Sequence, residues 1–438
     1  MKIRIIGIVI VLTCLVIGCK NSVKLDHKHW TQAMSLYEVM PKNFSATHDI
    51  QGVLNQLKKI RAQFITGLVL LPLSPTDDGS NLFNPGDPYA SINLTALDTN
   101  VADEKTFNLL IDSCHHFKIK IFLELNLSYT GPSHPWRKEN PDFYQSNEEQ
   151  ENGKYNQKFV ALNLENKSLQ SKLLKAVKYW SDRYALDGIV VVNGEEFTDE
   201  FWTKISKIVH GNGQLLIASA QKPALMESGV VDSYFNLELY SLFQKMAASE
   251  LKTSDFKNIL QTNQSSKIKS SSIMFNQNAV TNRSQGSEYN RCQECYKQCA
   301  LLTYLLGGVP WVLNGQEGPA FDGINTFKNE VLSERYNYNR DFYRALNIHR
   351  RENAAMNSLL NNLPVLISDS EEVLAFERKH GNLSIMFMGN LTNKTVQYTI
   401  NKDFRFYTEF FTRALVSFEP NVIYTLAPYQ YIMLTNLK

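Results

Sequence analysis

Three cysteines form the densest cluster of chemically active side chains in the sequence. Cys292, Cys295 and Cys299 follow a C-x2-C-x3-C spacing, which places all three on one face of a predicted helix. Such a spacing is compatible with a metal or cluster site, but a fourth ligand is not evident. Buried cysteines that pack as small apolar groups explain the pattern more simply. We therefore predict no metal and no cofactor, and a disulfide from Cys295 to Cys299, or from one of them to Cys114, stays open.

Glutamates at predicted strand ends are a second group that could do chemistry. Glu124, Glu195 and Glu196 lie at or just past the ends of apolar runs. A converging pair of carboxyl groups could act as acid and base. Solvated loop glutamates, or a helix N-terminal turn stabilised by the helix dipole, explain the same residues without catalysis. The sequence favours this second interpretation.

The elements that would position these residues alternate between strands and amphipathic helices. Helical spacing covers 50–64, 103–117 and 168–184. This alternation is typical of a parallel sheet or barrel. Apolar runs predict strands at Ser35–Val39, Gly67–Leu71, Ile119–Leu123, Gly188–Val192, Leu215–Ala218 and Ser272–Phe275.

The pattern changes after about Asn361. Short alternating runs follow, at Val373–Glu377, Leu383–Met388 and Tyr431–Leu434. Alternation of apolar and polar residues is typical of antiparallel sheets that bury one face. We therefore predict a separate C-terminal antiparallel β domain.

The N-terminus predicts export. A basic start at Met1–Arg4 precedes an apolar run, Ile5–Gly18, that is too short to span a bilayer. This pattern indicates a secretory leader. Leu15–Cys19 resembles the bacterial lipobox, in which the leader is cut before a cysteine that is then lipid-modified. We predict that Cys19 carries several acyl chains, which anchor stably, and that Lys20–His29 is a polar tether. The predicted location is the bacterial cell envelope, with membrane attachment through lipid.

Composition excludes some classes of function. The chain has 438 residues, of which 43% are hydrophobic and 20% charged, and its formal net charge is +2. Lysines are scattered among acidic residues without a basic block, so nucleic acid binding has no electrostatic basis. The length suits a barrel followed by a smaller domain.

Several segments, in the right order, resemble glycoside hydrolase family 13, the α-amylase family. One of them, Leu305–Glu317, is similar to the family's seventh-strand segment. The resemblance implies a (β/α)8 TIM barrel with a C-terminal antiparallel β-sandwich domain. The other segments are Asp49–Ile50, Thr66–Pro75, Lys118–Leu125, Ser133–Trp136, Leu162–Asn166, Lys178–Trp180, Phe342–Leu346 and His349–Asn353.

The residues that would carry catalysis in that family are replaced in this sequence. A retaining glycosidase needs one carboxylate as nucleophile and a second carboxyl group as acid. The resemblance implies that Val192 stands at the nucleophile position, Ser219 at the position of the acid, and Asn278 at that of the third carboxylate. Tyr129 replaces the histidine of the family's first conserved region. Val192, Ser219 and Asn278 would lie at the C-terminal ends of barrel strands, where barrel enzymes place their catalytic groups.

The barrel mouth nevertheless offers aromatic and amide groups that suit sugar recognition. Calcium is weakly supported by the resemblance, because Ser128 stands where the family's ligand asparagine would be. The segment 129–161, which corresponds to the family's long inserted domain B, is also short. The candidate sugar-binding residues are Tyr89, Asn126, Tyr129, Trp136, Asn276, Gln277 and Asn278.

Two hypotheses about function follow. The first is a non-catalytic envelope lipoprotein of α-glucan metabolism, which binds an α-glucan oligosaccharide or an envelope protein partner. The second is an active α-glucan hydrolase or transglycosylase with relocated carboxylates. The predicted organisation is a signal peptide at 1–18, a tether at 19–29, a barrel with a much reduced domain B at 30–360, and the β-sandwich domain at 361–438.

Overall fold

The computed structural model describes residues 30–31, 33–77, 86–145, 159–264, 268–318, 331, 339–357 and 363–437. The predicted signal peptide, the lipidation site Cys19 and the tether lie outside these residues. Within the described part of the chain, no helix combines the length and the apolar character that crossing a membrane requires.

The strands fall into two groups, those of a barrel and those of C-terminal sheets. In chain order they are β1 (Leu36–Val39), β2 (Gly67–Leu70), β3 (Lys120–Asn126), β4 (Tyr129–Thr130), β5 (Val160–Ala161), β6 (Gly188–Val192), β7 (Leu215–Ala218), β8 (Ser233–Phe235), β9 (Ser271–Met274), β10 (Val309–Leu313), β11 (Val365–Leu366), β12 (Val373–His380), β13 (Leu383–Asn390), β14 (Val396–Tyr398), β15 (Phe404–Glu409), β16 (Leu415–Phe418), β17 (Tyr424–Leu426) and β18 (Tyr431–Thr435).

Most helices connect successive barrel strands. The α-helices span Pro41–Phe44, Ile50–Ala62, Glu104–His116, Trp136–Glu139, Lys167–Arg183, Asp199–Gly211, Pro223–Ser228, Leu237–Ala247, Lys257–Gln264, Ala279–Gln285, Glu288–Cys292, Tyr296–Leu305 and Arg340–Glu352. Short 3-10 helices span Pro141–Phe143, Thr253–Phe256, Gln293–Cys295 and Ala354–Met356.

Eight parallel strands close into a barrel, in the spatial order β1-β10-β9-β8-β7-β6-β3-β2. Closure is made between β1 and β10, where Leu36 lies opposite Trp311. The connecting helices cover the outside, so the strands are apolar on both faces. The predicted (β/α)8 barrel is therefore confirmed.

Alternation along each strand separates the barrel interior from the layer under the helices. In β6, Val190 and Val192 point into the barrel interior, where they pack among residues such as Phe122 and Trp311. Ile189 and Val191 instead join the larger core between the barrel and its helices. The barrel interior is thus a packed apolar core, as is usual for this architecture.

Two barrel strands differ from the sequence prediction. β8 was not predicted, because it has only three residues and begins with serine, which leaves too little alternation to recognise. The segment Leu305–Glu317, which resembles the seventh-strand segment of the family, instead contains β10, the eighth strand of this barrel.

The C-terminal domain is antiparallel, as predicted. Six strands form one sheet in the order β11-β12-β13-β18-β15-β16, and β14 pairs with β17 in a second sheet. Met386 and Leu434 of the large sheet share a buried core with Val396 and Leu426 of the small one. The domain also contacts the barrel, because buried Arg378 donates from its guanidinium to the Leu305 carbonyl over 3.0 Å.

Candidate functional site

The three positions predicted to match the family's catalytic residues lie at the C-terminal end of the barrel. Val192 is the last residue of β6, Ser219 directly follows β7, and Asn278 follows β9. Val192 is buried among the apolar side chains of the barrel interior. Ser219 is half-buried, and its hydroxyl donates to Glu195 Oε1 over 3.2 Å. The exposed carboxyl group of Glu195 therefore lies beside Ser219, the position predicted for the acid.

A buried pair of carboxyl groups lies inside the barrel. Glu38 of β1 and Glu124 of β3 are both fully enclosed, and their carboxyl groups are hydrogen-bonded to each other. Glu38 also accepts hydrogen bonds from the indole of Trp311 over 2.8 Å and from the backbone N–H of Ala279 over 3.0 Å. The sequence singled out Glu124 but not Glu38, because a lone glutamate in an apolar strand carries no local signal.

Burial controls the titration of this pair. Removal from water raises the pKa of Glu38 to about 7, while donation from Trp311 and Ala279 to its carboxylate opposes the rise. Burial, together with the charge of Glu38, holds the pKa of Glu124 well above its usual range. Two carboxyl groups in contact inside an apolar core share a proton rather than both ionise. Glu38 is the more acidic member, because it accepts the N–H donors.

A loop residue extends the network towards the surface. The Tyr89 hydroxyl donates to Glu124 Oε2 over 2.8 Å, and Tyr89 is itself buried. Asp87 pairs with Arg283, whose Nη1 donates to both carboxylate oxygens over 3.1 Å. The Arg283 guanidinium lies 5.2 Å from the centre of the Tyr89 ring and 4.6 Å from that of Phe159. These contacts hold Tyr89 over the carboxyl pair and separate the pair from solvent.

The three amide side chains that follow β9 are buried and form hydrogen bonds within the protein. Asn276 Nδ2 donates to Glu288 Oε2 over 2.5 Å, and Gln277 accepts from the Glu288 backbone N–H. Asn278 caps the helix Ala279–Gln285, since its Oδ1 accepts from Thr281 N over 2.8 Å. Their polar atoms thus form hydrogen bonds within the protein, and their assignment as sugar-binding residues stays a prediction.

Glu288 is a buried residue of this network that sequence reasoning missed. Besides Asn276, Gln316 Nε2 donates to its Oε2 over 2.8 Å. Burial raises the pKa of Glu288 to about 8, with the Cys292 thiol adding to the rise. Next to it is a cavity of about 10 Å³, lined in part by Tyr289 and Tyr296, which is room for about one water. Glu288 lies one residue after a serine N-cap, a position that predicts only the start of a helix. No local signal in the sequence could therefore have revealed the network.

The remaining candidate sugar-binding residues, Asn126, Tyr129 and Trp136, differ from one another in how far they are buried. Asn126 is buried, and its Nδ2 donates to the Tyr89 carbonyl over 2.8 Å. Tyr129 and Trp136 are half-buried and thus partly open to solvent. The Trp136 ring lies 4.4 Å from that of His134 and 5.6 Å from that of Phe143, centre to centre. These packed rings hold Trp136 in one orientation.

The buried pair Glu38 and Glu124 does not have the carboxyl separation of a glycosidase pair. A retaining pair is about 5 to 5.5 Å apart and an inverting pair about 6.5 to 9.5 Å, with the sugar between them. Glu38 and Glu124 are instead in direct hydrogen-bond contact and buried. Glu195 is open to solvent and accepts a hydrogen bond from Ser219. Partial desolvation raises the pKa of Glu195, and the charge of the neighbouring Glu196 adds to the rise.

Metal-ligating residues cluster elsewhere. Among the described residues, Cys292, Cys295 and Cys299 form the only group of three or more His, Cys, Asp or Glu side chains whose ligand atoms lie close together. All four described cysteines have free thiols, with 3.9 Å between the Sγ atoms of Cys295 and Cys299. The disulfides that the sequence left open, from Cys295 to Cys299 or to Cys114, are therefore not formed.

Known proteins resemble this chain in structure rather than in sequence. No protein-family model matches the sequence, and no curated protein matches it either. A noncanonic maltogenic α-amylase from Thermotoga neapolitana superposes with a TM-score of 0.76 at 17% identity, covering 92% of this chain and 98% of the other.

Two further solved structures also superpose on most of this chain. The α-amylase from Geobacillus thermoleovorans, solved with acarbose, has a TM-score of 0.69 at 16% identity over 92% of this chain and 98% of its own. The trehalose-6-phosphate hydrolase from Bacillus licheniformis has a TM-score of 0.64 at 15% identity over 93% and 99%. The near-complete coverage of each chain includes both the barrel and the C-terminal sheets. The chain therefore has the fold of the α-amylases, as the resemblance of its segments predicted.

Proposed function

We propose that this protein is a non-catalytic α-glucan-binding protein built on the α-amylase fold and held at the bacterial cell envelope by lipid on Cys19. One observation carries the proposal. Val192, which the resemblance assigns to the nucleophile position, ends β6, and the carboxyl pair inside the barrel, Glu38 and Glu124, is buried and hydrogen-bonded to itself. Neither residue is available to attack or protonate a sugar bound at the mouth.

The nature of the ligand is argued from the fold and the exposed aromatic groups. α-Amylases act on α-glucans, and one of the similar structures was solved with acarbose. Trp136 and Tyr129 remain partly open near the C-terminal end of the barrel and offer ring faces. The amides of Asn276, Gln277 and Asn278 are used internally, so the proposed site depends on aromatic contacts more than on amide hydrogen bonds.

A second candidate function is an α-glucan hydrolase with a relocated acid. The observation that favours it is the 3.2 Å hydrogen bond from Ser219 to Glu195, which places an exposed carboxyl group at the end of the strand that carries the family's acid. A retaining mechanism would need a second carboxylate about 5 Å away. The non-catalytic proposal is preferred because Val192 cannot supply it.

Hydrolysis assays distinguish the two functions. The purified full-length protein is incubated with starch, maltooligosaccharides, pullulan and an aryl α-glucoside, and Glu195→Gln is assayed beside it. We expect no turnover above background for either protein. Turnover that the Glu195→Gln substitution abolishes would establish the hydrolase instead.

Isothermal titration with maltoheptaose tests binding. We expect modest affinity that changes little with salt, and a roughly threefold to tenfold loss for Trp136→Ala, the effect of one aromatic contact. Tyr179→Ala is the matched control, because Tyr179 is also half-buried but lies on the helix Lys167–Arg183. No detectable heat with the wild-type protein would argue for an envelope protein partner in place of the glucan.

A further inference from the structure

The three-cysteine cluster is produced by a break between helices. Cys292 ends the helix Glu288–Cys292, and Cys295 ends the 3-10 helix that follows. Cys299 lies on the next helix, Tyr296–Leu305. The backbone turns at Gln293, whose φ of 45° is unusual for a residue with a side chain. The sequence prediction of a single helix face was therefore wrong, because the chain changes direction inside the motif.

The resulting triangle of sulfur atoms has the size of a metal site. The three Sγ atoms all lie within 4.8 Å of one another, and those of Cys295 and Cys299 are 3.9 Å apart. An ion bound at about 2.3 Å from each of three sulfurs in a plane sets the sulfurs about 4 Å apart. The side chains therefore need only small adjustments to bind a common ion.

The number and type of donors restrict which ion this is. No fourth Cys, His, Asp or Glu joins the group within the part of the chain that the structure describes. Structural zinc sites are almost always four-coordinate, whereas an all-thiolate site without oxygen or nitrogen ligands suits soft ions such as Cu(I). The three cysteines are also fully buried, which excludes water as a ready fourth ligand.

A nearby cation can offset the charge of the thiolates. Arg291 precedes the first cysteine, and its charge acts on the Cys292 thiol. Its Nη2 donates to the Asn276 carbonyl over 2.7 Å, while its buried Nη1 has no hydrogen-bond partner among the described residues. An anionic cluster next to this guanidinium would be better tolerated than in a purely apolar core.

From the sulfur triangle, the donor set and the burial, we propose that Cys292, Cys295 and Cys299 bind one Cu(I) ion in a three-coordinate, all-sulfur site. Binding replaces the thiol protons with the metal and involves no change in oxidation state. The site lies outside the barrel strands and does not depend on the proposed glucan-binding function.

The test is a titration of the reduced full-length protein with Cu(I) under anaerobic conditions, in competition with a chromogenic Cu(I) chelator. We expect one equivalent to bind, with a sulfur-to-copper charge-transfer band. Cys292→Ser, Cys295→Ser and Cys299→Ser should each weaken binding at least tenfold. Cys114→Ser is the control, since Cys114 is an equally buried cysteine outside the cluster, and it should bind as the wild type does.

X-ray absorption of the copper-loaded wild-type protein keeps the proposal testable if a serine variant fails to fold. Three sulfur neighbours at a single distance would support it. Binding of less than half an equivalent, equal loss in Cys114→Ser, or a nitrogen or oxygen ligand in the first coordination sphere would overturn it. Parallel titrations with Zn(II) should show weaker binding, and tighter binding of Zn(II) than of Cu(I) would also overturn it.

Discussion

Glu38 and Glu124 share a hydrogen bond inside the barrel, although they belong to strands that are not neighbours in the sheet. Both strands flank β2 and both side chains point inward, so the curvature of the barrel brings them together in an apolar core. Trp311 and the N-terminus of the helix Ala279–Gln285 donate to Glu38, and Tyr89 donates to Glu124. The pair is therefore a buried acid dyad whose ionisation is coupled to folding.

The first prediction concerns the pH dependence of stability. The folded-state pKa of Glu38, about 7, lies above its value of 4.5 in the unfolded chain. The folded state therefore holds more protons between these values, and stability is lost as pH rises from about 4.5 through 7. Glu124→Gln removes one member of the dyad and should flatten this fall. Urea unfolding of the wild type and the variant at pH 5 and pH 8 measures this change in stability.

At pH 8 we expect Glu124→Gln to gain on the order of 1 to 3 kcal/mol relative to the wild type, since each pKa unit corresponds to about 1.4 kcal/mol. At pH 5 the two proteins should differ less. Glu196→Gln, at an exposed position, is the control and should leave the profile unchanged. A variant less stable than the wild type at pH 8 would contradict the shared-proton account.

A second prediction concerns Glu288. Because burial raises its pKa to about 8, its carboxyl group is protonated at neutral pH. Infrared difference spectra recorded across a pH titration should contain a protonated-carboxyl band that disappears with a midpoint near 8. Glu288→Gln should remove this band, whereas Glu124→Gln should leave it. A midpoint below pH 6 would show that the carboxylate is stabilised in its charged form.

The third prediction concerns the ion pair between Asp87 and Arg283. Their side chains are 1% and 22% exposed, so each charge depends on the other. Removing one member of a buried ion pair lowers the free energy of unfolding by about 3 to 5 kcal/mol. Because Arg283 is partly exposed, we expect the loss for Asp87→Ala to lie near the low end of this range. Arg283→Met combined with Asp87→Ala should cost less than the sum of the single changes. A double-mutant cycle in urea checks this, and additive costs would mean that the pair contributes nothing.

A fourth prediction separates the structural from the sugar-binding role of Asn278. Asn278→Ala removes the N-cap of the helix Ala279–Gln285 and should lower the free energy of unfolding by about 1 kcal/mol. Asn278→Ser retains a capping oxygen and should recover most of this loss. Neither change should alter maltoheptaose affinity. If both variants keep their stability but lose affinity, Asn278 acts on the ligand.

The fifth prediction concerns Cys19. We expect the protein in the membrane fraction, with the N-terminal peptide beginning at lipid-modified Cys19 in mass spectra. Cys19→Ser should prevent lipidation and release the chain from the membrane or leave the leader uncut. Cys14→Ser, which changes the cysteine inside the leader, should have no effect on attachment. A soluble wild-type protein with an unmodified Cys19 thiol would refute the anchor.

Much of the architecture was encoded locally. The apolar run Leu215–Ala218 was predicted at its observed bounds, and the helix from Ile50 ends within two residues of its predicted end. Such elements depend on residues close in sequence, so periodicity and caps are enough to place them. The alternation of these elements predicted a parallel sheet or barrel. The resemblance to the α-amylase family implied the barrel itself, and it implied that Val192 and Ser219 stand where that family has carboxylates.

The chemistry around those positions was decided by tertiary structure. Glu38 gave no signal as a lone acid in β1, because its partner is far away in sequence. The amides of Asn276 and Gln277 suggested a sugar site, yet Glu288 and Gln316 from other elements use their hydrogen-bonding groups. A side chain's type is fixed by the sequence. Whether its polar atoms face a ligand or a neighbour depends on which distant segments barrel closure brings into contact.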